Sequence, residues 1–281
     1  MVRTINNFKT AMLLAALMAL FVFAGSLYGT QGMVLGLVFG IITNFGAWFF
    51  SDTIAIKAMQ GREVTRANGG ELYAMVERLS QRAQMPMPRV YICPQEAPNA
   101  FATGRSPSKA AVAVTQGALQ LLNHEEMEGV IGHELAHIKN RDTLTSTIAA
   151  TVSGVLAFFA QWGFMLGGGG GGNNREGGNP LVGIFAIIIA AVGAALIKAM
   201  ISRSREFVAD HDGAVIAGSP MGLISALQKL EHYGKQIPMN NPNPAQNNLF
   251  IIEPLCGNSL LSMFATHPPT EARVRALMKM R

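Results

Sequence analysis

The sequence predicts a mainly α integral membrane protein, with four transmembrane helices in two hairpins and a cytoplasmic α+β portion. Three observations carry that prediction. Charged residues make up only 14% of the 281 residues while the apolar share is 49%, whereas a soluble domain of similar apolar content carries about 25% charge. The missing charge is missing from four particular runs, each long enough to be a membrane span. The basic residues, finally, gather almost entirely in the segments on one side of those runs. The same composition excludes intrinsic disorder, which needs low hydrophobicity and high charge. A net charge of +5 from 22 basic and 17 acidic residues is too scattered for a dedicated nucleic-acid binder. Cys93 and Cys256 form no C-x-x-C pair, which fits a reducing compartment and a fold that needs no disulfide.

Taken in order, residues 11–28 (Ala11 to Tyr28) and 33–50 (Met33 to Phe50) are each eighteen residues without a charge. That length is near the lower end of what crosses a hydrocarbon core of about 30 Å. Arg3, Lys9 and the small residues Ala24-Gly25-Ser26 also imitate a secretory signal. A second span follows almost at once, so an uncleaved anchor is expected. A third run extends from Thr143 to Leu166. A fourth goes from Leu181 to Ile197 and reaches Ile201, because Lys198 at a helix end can snorkel to the interface. Between the third and fourth runs stand six glycines, Gly167 to Gly172, the composition of a flexible external loop. Lys and Arg mark the cytoplasmic side of a membrane protein, and 21 of the 22 fall in the N-terminal tail or in the segments 51–142 and 198–281. Both termini and both polar blocks are therefore expected in the cytoplasm. The resulting organisation is a hairpin at 1–50, a cytoplasmic block at 51–142, a second hairpin at 143–201 and a second cytoplasmic block at 202–281.

Within the first block, Leu72, Met75, Val76 and Leu79 recur at helical spacing from Glu71 to Ala83, ahead of the breaker Met85-Pro86-Met87-Pro88. Arg89 to Cys93 and Ala110 to Thr115 read as strands, with Pro94 to Ser108 as loop between them. Asn123, with Glu126 three residues later, is a variant capping box and starts a helix. In the second block a helix runs from Met221 to His232, an Asn/Pro-rich loop follows from Ile237 to Asn248, and a last helix starts after Pro268-Pro269.

The chemistry lies at His133-Glu134-Leu135-Ala136-His137. Two imidazoles at i and i+4 share one helical face and can bind one metal ion. The glutamate beside the first histidine is then placed to act as general base on a water at that metal. A catalytic zinc site needs a third protein ligand, and topology points to one. His137 stands just before the third apolar run and Glu206 just after the fourth, 69 residues further on. The ends of an antiparallel hairpin are neighbours, so Glu206 is expected beside the histidines. Asp210, one turn later, is placed to orient a ligand histidine. The plainer alternative for both is a solvated helix face just outside the membrane; their position at the far end of the same hairpin favours the ligand reading.

With HExxH ahead of an apolar hairpin, Glu206-x-x-x-Asp210 after it, Asn99-Ala100-Phe101 upstream and Thr266-His267-Pro268-Pro269 downstream, the chain resembles the HtpX family. These are bacterial membrane zinc proteases of heat shock and membrane quality control, related to the CaaX prenyl proteases. The resemblance covers essentially the whole chain. It implies a zincin-like catalytic domain and one zinc ion held by His133, His137 and Glu206, with Glu134 as general base. It also implies that Asn99 and His267 lie near substrate, where either can steady an oxyanion. The partners implied are the lipid bilayer and polypeptide substrates, with misfolded membrane proteins foremost. The location implied is the bacterial inner membrane, with the active site facing the cytoplasm. His124, His211 and His232 read as surface or capping residues, and Arg203 and Arg205 as supports behind a ligand or contacts to lipid headgroups. Ala110–Thr115 is expected to be an edge strand against which a substrate chain pairs. Two competitors are weaker. An intramembrane protease would bury HExxH in a span, yet Glu125, Glu126, Glu128, Lys139, Arg141 and Asp142 flank it here. A non-catalytic scaffold or transporter subunit would not need the Glu206 carboxylate.

Overall fold

Helix α1 (Val2–Ser26) and helix α2 (Gly29–Phe49) form an antiparallel pair, and both are long and apolar enough to cross a membrane. The computed structural model describes residues 2–26, 28–149, 152, 155, 203–234 and 268–280. The backbones of α1 and α2 touch: a Cβ at Gly25 would sit 2.2 Å from the Gly32 carbonyl oxygen, and one at Gly36 2.3 Å from that of Phe21. Small residues permit such an approach between helices in a bilayer. One stripe of α1, made of Asn6, Thr10, Leu13, Leu17 and Phe21, is buried, whereas Leu35, Val38, Phe39, Ile42 and Phe45 of α2 are exposed. The third apolar run begins as a helix at residues 142–149, and its Ile148, Ala149 and Val152 pack with Leu13, Leu17, Phe21 and Ala47. The remainder of that run, the whole fourth run, the six glycines, the 237–248 loop and Thr266-His267 lie outside the described residues.

The second body is α+β. After α3 (Ser51–Ala58) come β1 (Arg62–Val64), α4 (Gly70–Arg82), β2 (Arg89–Cys93), β3 (Ala100–Gly104), β4 (Ala110–Thr115), α5 (Gln116–Leu121) and α6 (His124–Asn140). Then α7 (Arg203–Ala217), α8 (Met221–Gly234) and α9 (Thr270–Met278) complete it. The sheet order is β1-β2-β4-β3, with β2 parallel to β4 and β3 antiparallel to it.

Two expectations are corrected here. Ala110–Thr115 is an interior strand, and the edge beside it is β3, which lies in the stretch expected to be loop. The physical reason is legible in hindsight. All six residues of β4 are buried. Val112 and Val114 face the main helical core, while Ala111 and Ala113 face α3. A strand covered on both faces reads as an unbroken apolar run rather than an alternation, and such a run cannot sit at an exposed rim.

The main core is built from α4, α6, α7, α8, α9 and one face of the sheet. Helix α6 is its axis. Glycines let α7 lie directly on it: a Cβ at Gly213 would stand 2.7 Å from both N and Cα of His133. Gly213→Ala is therefore expected to destabilise the fold by about 1–3 kcal/mol through overpacking, read by thermal unfolding in detergent. A surface Gly→Ala change in a helix would instead be stabilising.

Polar attachments join α1 and α2 to the α+β body. Asn6 Nδ2 donates to the Asn140 carbonyl at 3.1 Å and to Asp142 Oδ1. At the far end of the hairpin sequence, Arg105 Nη1 donates to the Phe49 carbonyl at 2.6 Å, with its guanidinium 4.2 Å from the centre of the Phe49 ring. Arg105 directly follows β3.

Candidate metal centre

The site is assembled on α6, whose start is fixed by a reciprocal capping box between Asn123 and Glu126. Glu126 is buried and also holds Lys229 at 2.8 Å. Asp142 is buried too, so two of the charges read as a watery surround to HExxH are interior supports instead. From the capped start the helix runs without a break to Asn140, and the 3.6-residue period brings His133 and His137 to one face. Their Nε2 atoms are 3.1 Å apart. Arg141 then takes a left-handed conformation with φ 61°, ending the helix and turning the chain so that Asp142 reaches back to His137.

Helix α7 supplies Glu206 and, one turn later, Asp210. Glu206 Oε2 is 3.6 Å from His133 Nε2, and its Oε1 is 3.7 Å from His137 Nε2. Behind the pair, Asp210 Oδ1 is 3.0 Å from His133 Nδ1 and Asp142 Oδ2 is 3.0 Å from His137 Nδ1. Each imidazole thus turns Nε2 toward the Glu206 side and brings Nδ1 to 3.0 Å from a carboxylate oxygen, hydrogen-bonded in the case of His137 and Asp142, the kind of partner that orients metal-ligating histidines.

The remaining two contributors come from elsewhere. The backbone N–H of Ala102, on edge strand β3, donates to the Glu134 carboxylate. Arg273 of α9 forks onto Asp210, with Nε 2.8 Å from Oδ2 and Nη2 2.7 Å from Oδ1, while its Nη1 is 3.9 Å from Glu206 Oε2.

The charge balance of this cluster is uneven. Glu134, Asp142, Glu206 and Asp210 are all buried, and Arg273 is the buried cation among them. Burial pushes the Glu134 carboxyl up to about 7, and the neighbouring Glu206 adds to the shift while His137 opposes it. Burial would lower His137, but Glu206 and Asp142 outweigh it and raise it to about 9. His133 is lowered, first by burial and then by the charge of His137. Burial works against ionisation of Asp210 as well, yet Arg273 brings it down to about 2. Without a metal, such a cluster retains protons that a divalent cation would replace.

The donor atoms fit a metal by distance as well. Zinc–nitrogen and zinc–oxygen bonds of about 2.0–2.2 Å in a tetrahedron place ligand atoms roughly 3.3–3.5 Å apart. His133, His137 and Glu206 offer three such atoms, all within 4.8 Å of one another, and the three closest approaches of 3.1, 3.6 and 3.7 Å bracket that separation.

Of the residues expected from sequence, His133, Glu134, His137, Glu206 and Asp210 come together. Asn99 is buried immediately before β3, its N–H donating to Thr115 Oγ1 at 2.8 Å. It directly precedes the strand whose Ala102 touches Glu134. His267 lies outside the described residues. His124 pairs with Glu71 and His211 lies 3.3 Å from Asp212, both exposed. Arg205 is buried.

Sequence reasoning missed Asp142 and Arg273. A signal existed for Arg273: it shares one face of the last helix with Val274 and Leu277, all three buried, and a charge on an apolar face needs a partner. Arg273→Leu leaves Asp210 buried without its cation, so it is expected to cost about 3–5 kcal/mol. Arg273→Lys is expected to recover only part, because an ammonium cannot fork. Chemical unfolding of the metal-free protein separates the two.

Comparison with known proteins places this geometry. The profile of peptidase family M48 matches residues 66–281, which include every residue of the centre described above. A "Protease HtpX homolog" of Desulforapulum autotrophicum is 49% identical over 277 residues, covering 97% of this chain and 89% of that protein. Proteins of the same description from Syntrophobacter fumaroxidans and Pyrococcus furiosus are 44% and 46% identical, covering 98% and 96% of this chain and 99% and 94% of their own lengths. Among solved structures, the crystal structure of S. mikatae Ste24p superposes with a TM-score of 0.53 at 16% identity, over 98% of this chain and 66% of that one. The last likeness is one of fold.

Proposed function

The chain belongs to peptidase family M48 and is a metalloprotease, and from that membership we propose a zinc-dependent endopeptidase of the bacterial inner membrane that cleaves misfolded or damaged membrane proteins. The observation that carries the reading is the convergence of His133 Nε2, His137 Nε2 and Glu206 from two helices 69 residues apart, within 4.8 Å of one another. His133, His137 and Glu206 hold the ion. Asp210 and Asp142 fix the two imidazoles, and Arg273 fixes Asp210.

Zinc bound there supplies a Lewis acid that acidifies water and polarises a peptide carbonyl. The rest is done by the chain. Glu134, with its carboxyl near neutrality, takes a proton from the attacking water and delivers it to the leaving amine. The Ala102 N–H, donating to that carboxylate, holds it relative to β3. Asn99 and His267 are assigned to the oxyanion that develops on the substrate carbonyl. Main-chain hydrogen bonds to the last strand of a sheet do not read side chains, which suits a protease of broad specificity; β3, rather than β4, is the strand at that end of the sheet.

Two apolar helices, the four uncharged runs and the basic segments support a multi-pass protein with its active site in the cytoplasm. The N-terminal end of α1 and the C-terminal end of α2 both meet the α+β body, as that topology requires. The test is hydrolysis of an unfolded membrane polypeptide by the purified protein. Cleavage should stop when a chelator removes the metal and return when zinc is restored at one equivalent. A protein that binds no metal, or cleaves equally well without it, would overturn the reading.

A further inference from the structure

Helix α1 carries a polar residue where a simple anchor would need none. Asn6 lies on the stripe that continues through Thr10, Leu13 and Leu17, and it is 3% exposed. Its amide spans two groups of the α+β body, the Asn140 carbonyl and Asp142 Oδ1. The other oxygen of that same carboxylate, Oδ2, is 3.0 Å from His137 Nδ1, and His137 Nε2 faces Glu206. A continuous chain of side chains therefore runs from α1 through Asp142 to one imidazole of the proposed metal centre. Thr145 Oγ1 lies 3.3 Å from the Asn6 carbonyl and 2.9 Å from Thr10 Oγ1, neighbouring contacts that reach neither the Asn6 amide nor Asp142.

We infer that Asn6 is a positioning residue for the metal: by holding Asp142 it sets the orientation of His137, so that a transmembrane helix outside the matched family profile tunes metal affinity. The physical reason is torsional. A carboxylate turns freely about its last side-chain bond; the charge of Lys9 on the same helix also attracts Asp142, but a diffuse attraction selects neither oxygen, whereas the Asn6 amide donates to Oδ1. One oxygen claimed by the Asn6 amide leaves the other facing His137. The relay rests on the reading of His137 as a ligand, and its residues are distinct from the Arg273–Asp210 pair that supports His133.

The experiment measures zinc affinity of the full-length protein in detergent, by competition with a chromogenic chelator. Asn6→Leu keeps the volume and removes the amide; it is expected to weaken zinc binding about tenfold, the lower end of what loss of a ligand's hydrogen-bonding partner costs. Thr10→Val breaks the adjacent contact with Thr145 without touching Asp142, and is expected to leave affinity unchanged. In an Asp142→Asn background, Asn6→Leu should add no further loss, since its route to the metal is already cut. Asn6→Ala gives the same comparison if leucine disturbs the helix packing. Unchanged affinity in both Asn6 variants, or an equal further loss in the Asp142→Asn background, overturns the inference. His137→Ala keeps the two failures apart: if it abolishes zinc binding while the Asn6 variants do not weaken it, only the relay is wrong. If His137→Ala retains zinc, the ligand assignment falls and the relay with it.

Discussion

Glu134→Gln is expected to abolish proteolysis while leaving one metal ion bound. The substitution keeps the size of the side chain and an acceptor for the Ala102 N–H, but it removes the group that can carry a proton between water and leaving amine. General acid–base steps of this kind are worth about 10²–10⁴-fold in rate, which for a peptidase brings turnover below easy detection. The measurement pairs metal analysis with cleavage of an unfolded polypeptide. Because burial lifts the Glu134 carboxyl to about 7, replacement by a neutral amide also relieves a desolvation cost. The variant should therefore be no less stable than the parent, and loss of activity cannot be attributed to unfolding. Retained cleavage would take the role of base away from Glu134.

Glu206→Gln is the second large effect, and it acts on binding. The carboxylate stands 3.6 and 3.7 Å from the two imidazole Nε2 atoms and supplies the negative charge facing the ion. An amide in its place keeps the shape and loses both the charge and the stronger donor. Removing a ligand should weaken zinc by more than the about 100-fold that marks the upper range for a ligand's supporting partner. The protein should purify without stoichiometric metal, and excess zinc should restore little cleavage. An Asp210→Asn change, by contrast, leaves all three ligands in place and should fall within the supporting range. The order Glu206→Gln, then Asp210→Asn, in loss of affinity is the check on which carboxylate ligates and which orients.

Much of this centre was legible because its parts follow from periodicity and topology. His133 and His137 share a face by the pitch of a helix, and Glu206 was expected beside them because two uncharged runs of spanning length separate it from His137. The strands Arg89–Cys93 and Ala110–Thr115 and the capped start of α6 were equally local. What escaped depends on contacts between segments far apart. Strand β3 is five residues with small or polar members in a stretch rich in turn residues, and it is a strand because β4 offers it a partner. Short β1 is paired in the same way with β2. Asp142 read as a solvated charge because a sequence does not display the left-handed turn at Arg141 that swings it back beneath His137. Arg273 sits 63 residues from Asp210, and only the packing of α9 on α7 joins them.

The attachments at Asn6 and Arg105 lie at opposite ends of the hairpin sequence but on the same side of it. A body joined to a hairpin by one link can swivel; contacts with both ends of the hairpin sequence restrain how the α+β body is oriented relative to α1 and α2. Strand β3, with Arg105 at one end and the Glu134 contact in its middle, is consequently a fixed rail running from the hairpin toward the reacting groups. A chain laid along that rail would be held through its main chain, so that reach from the hairpin rather than side-chain identity would decide which bond arrives at Glu134.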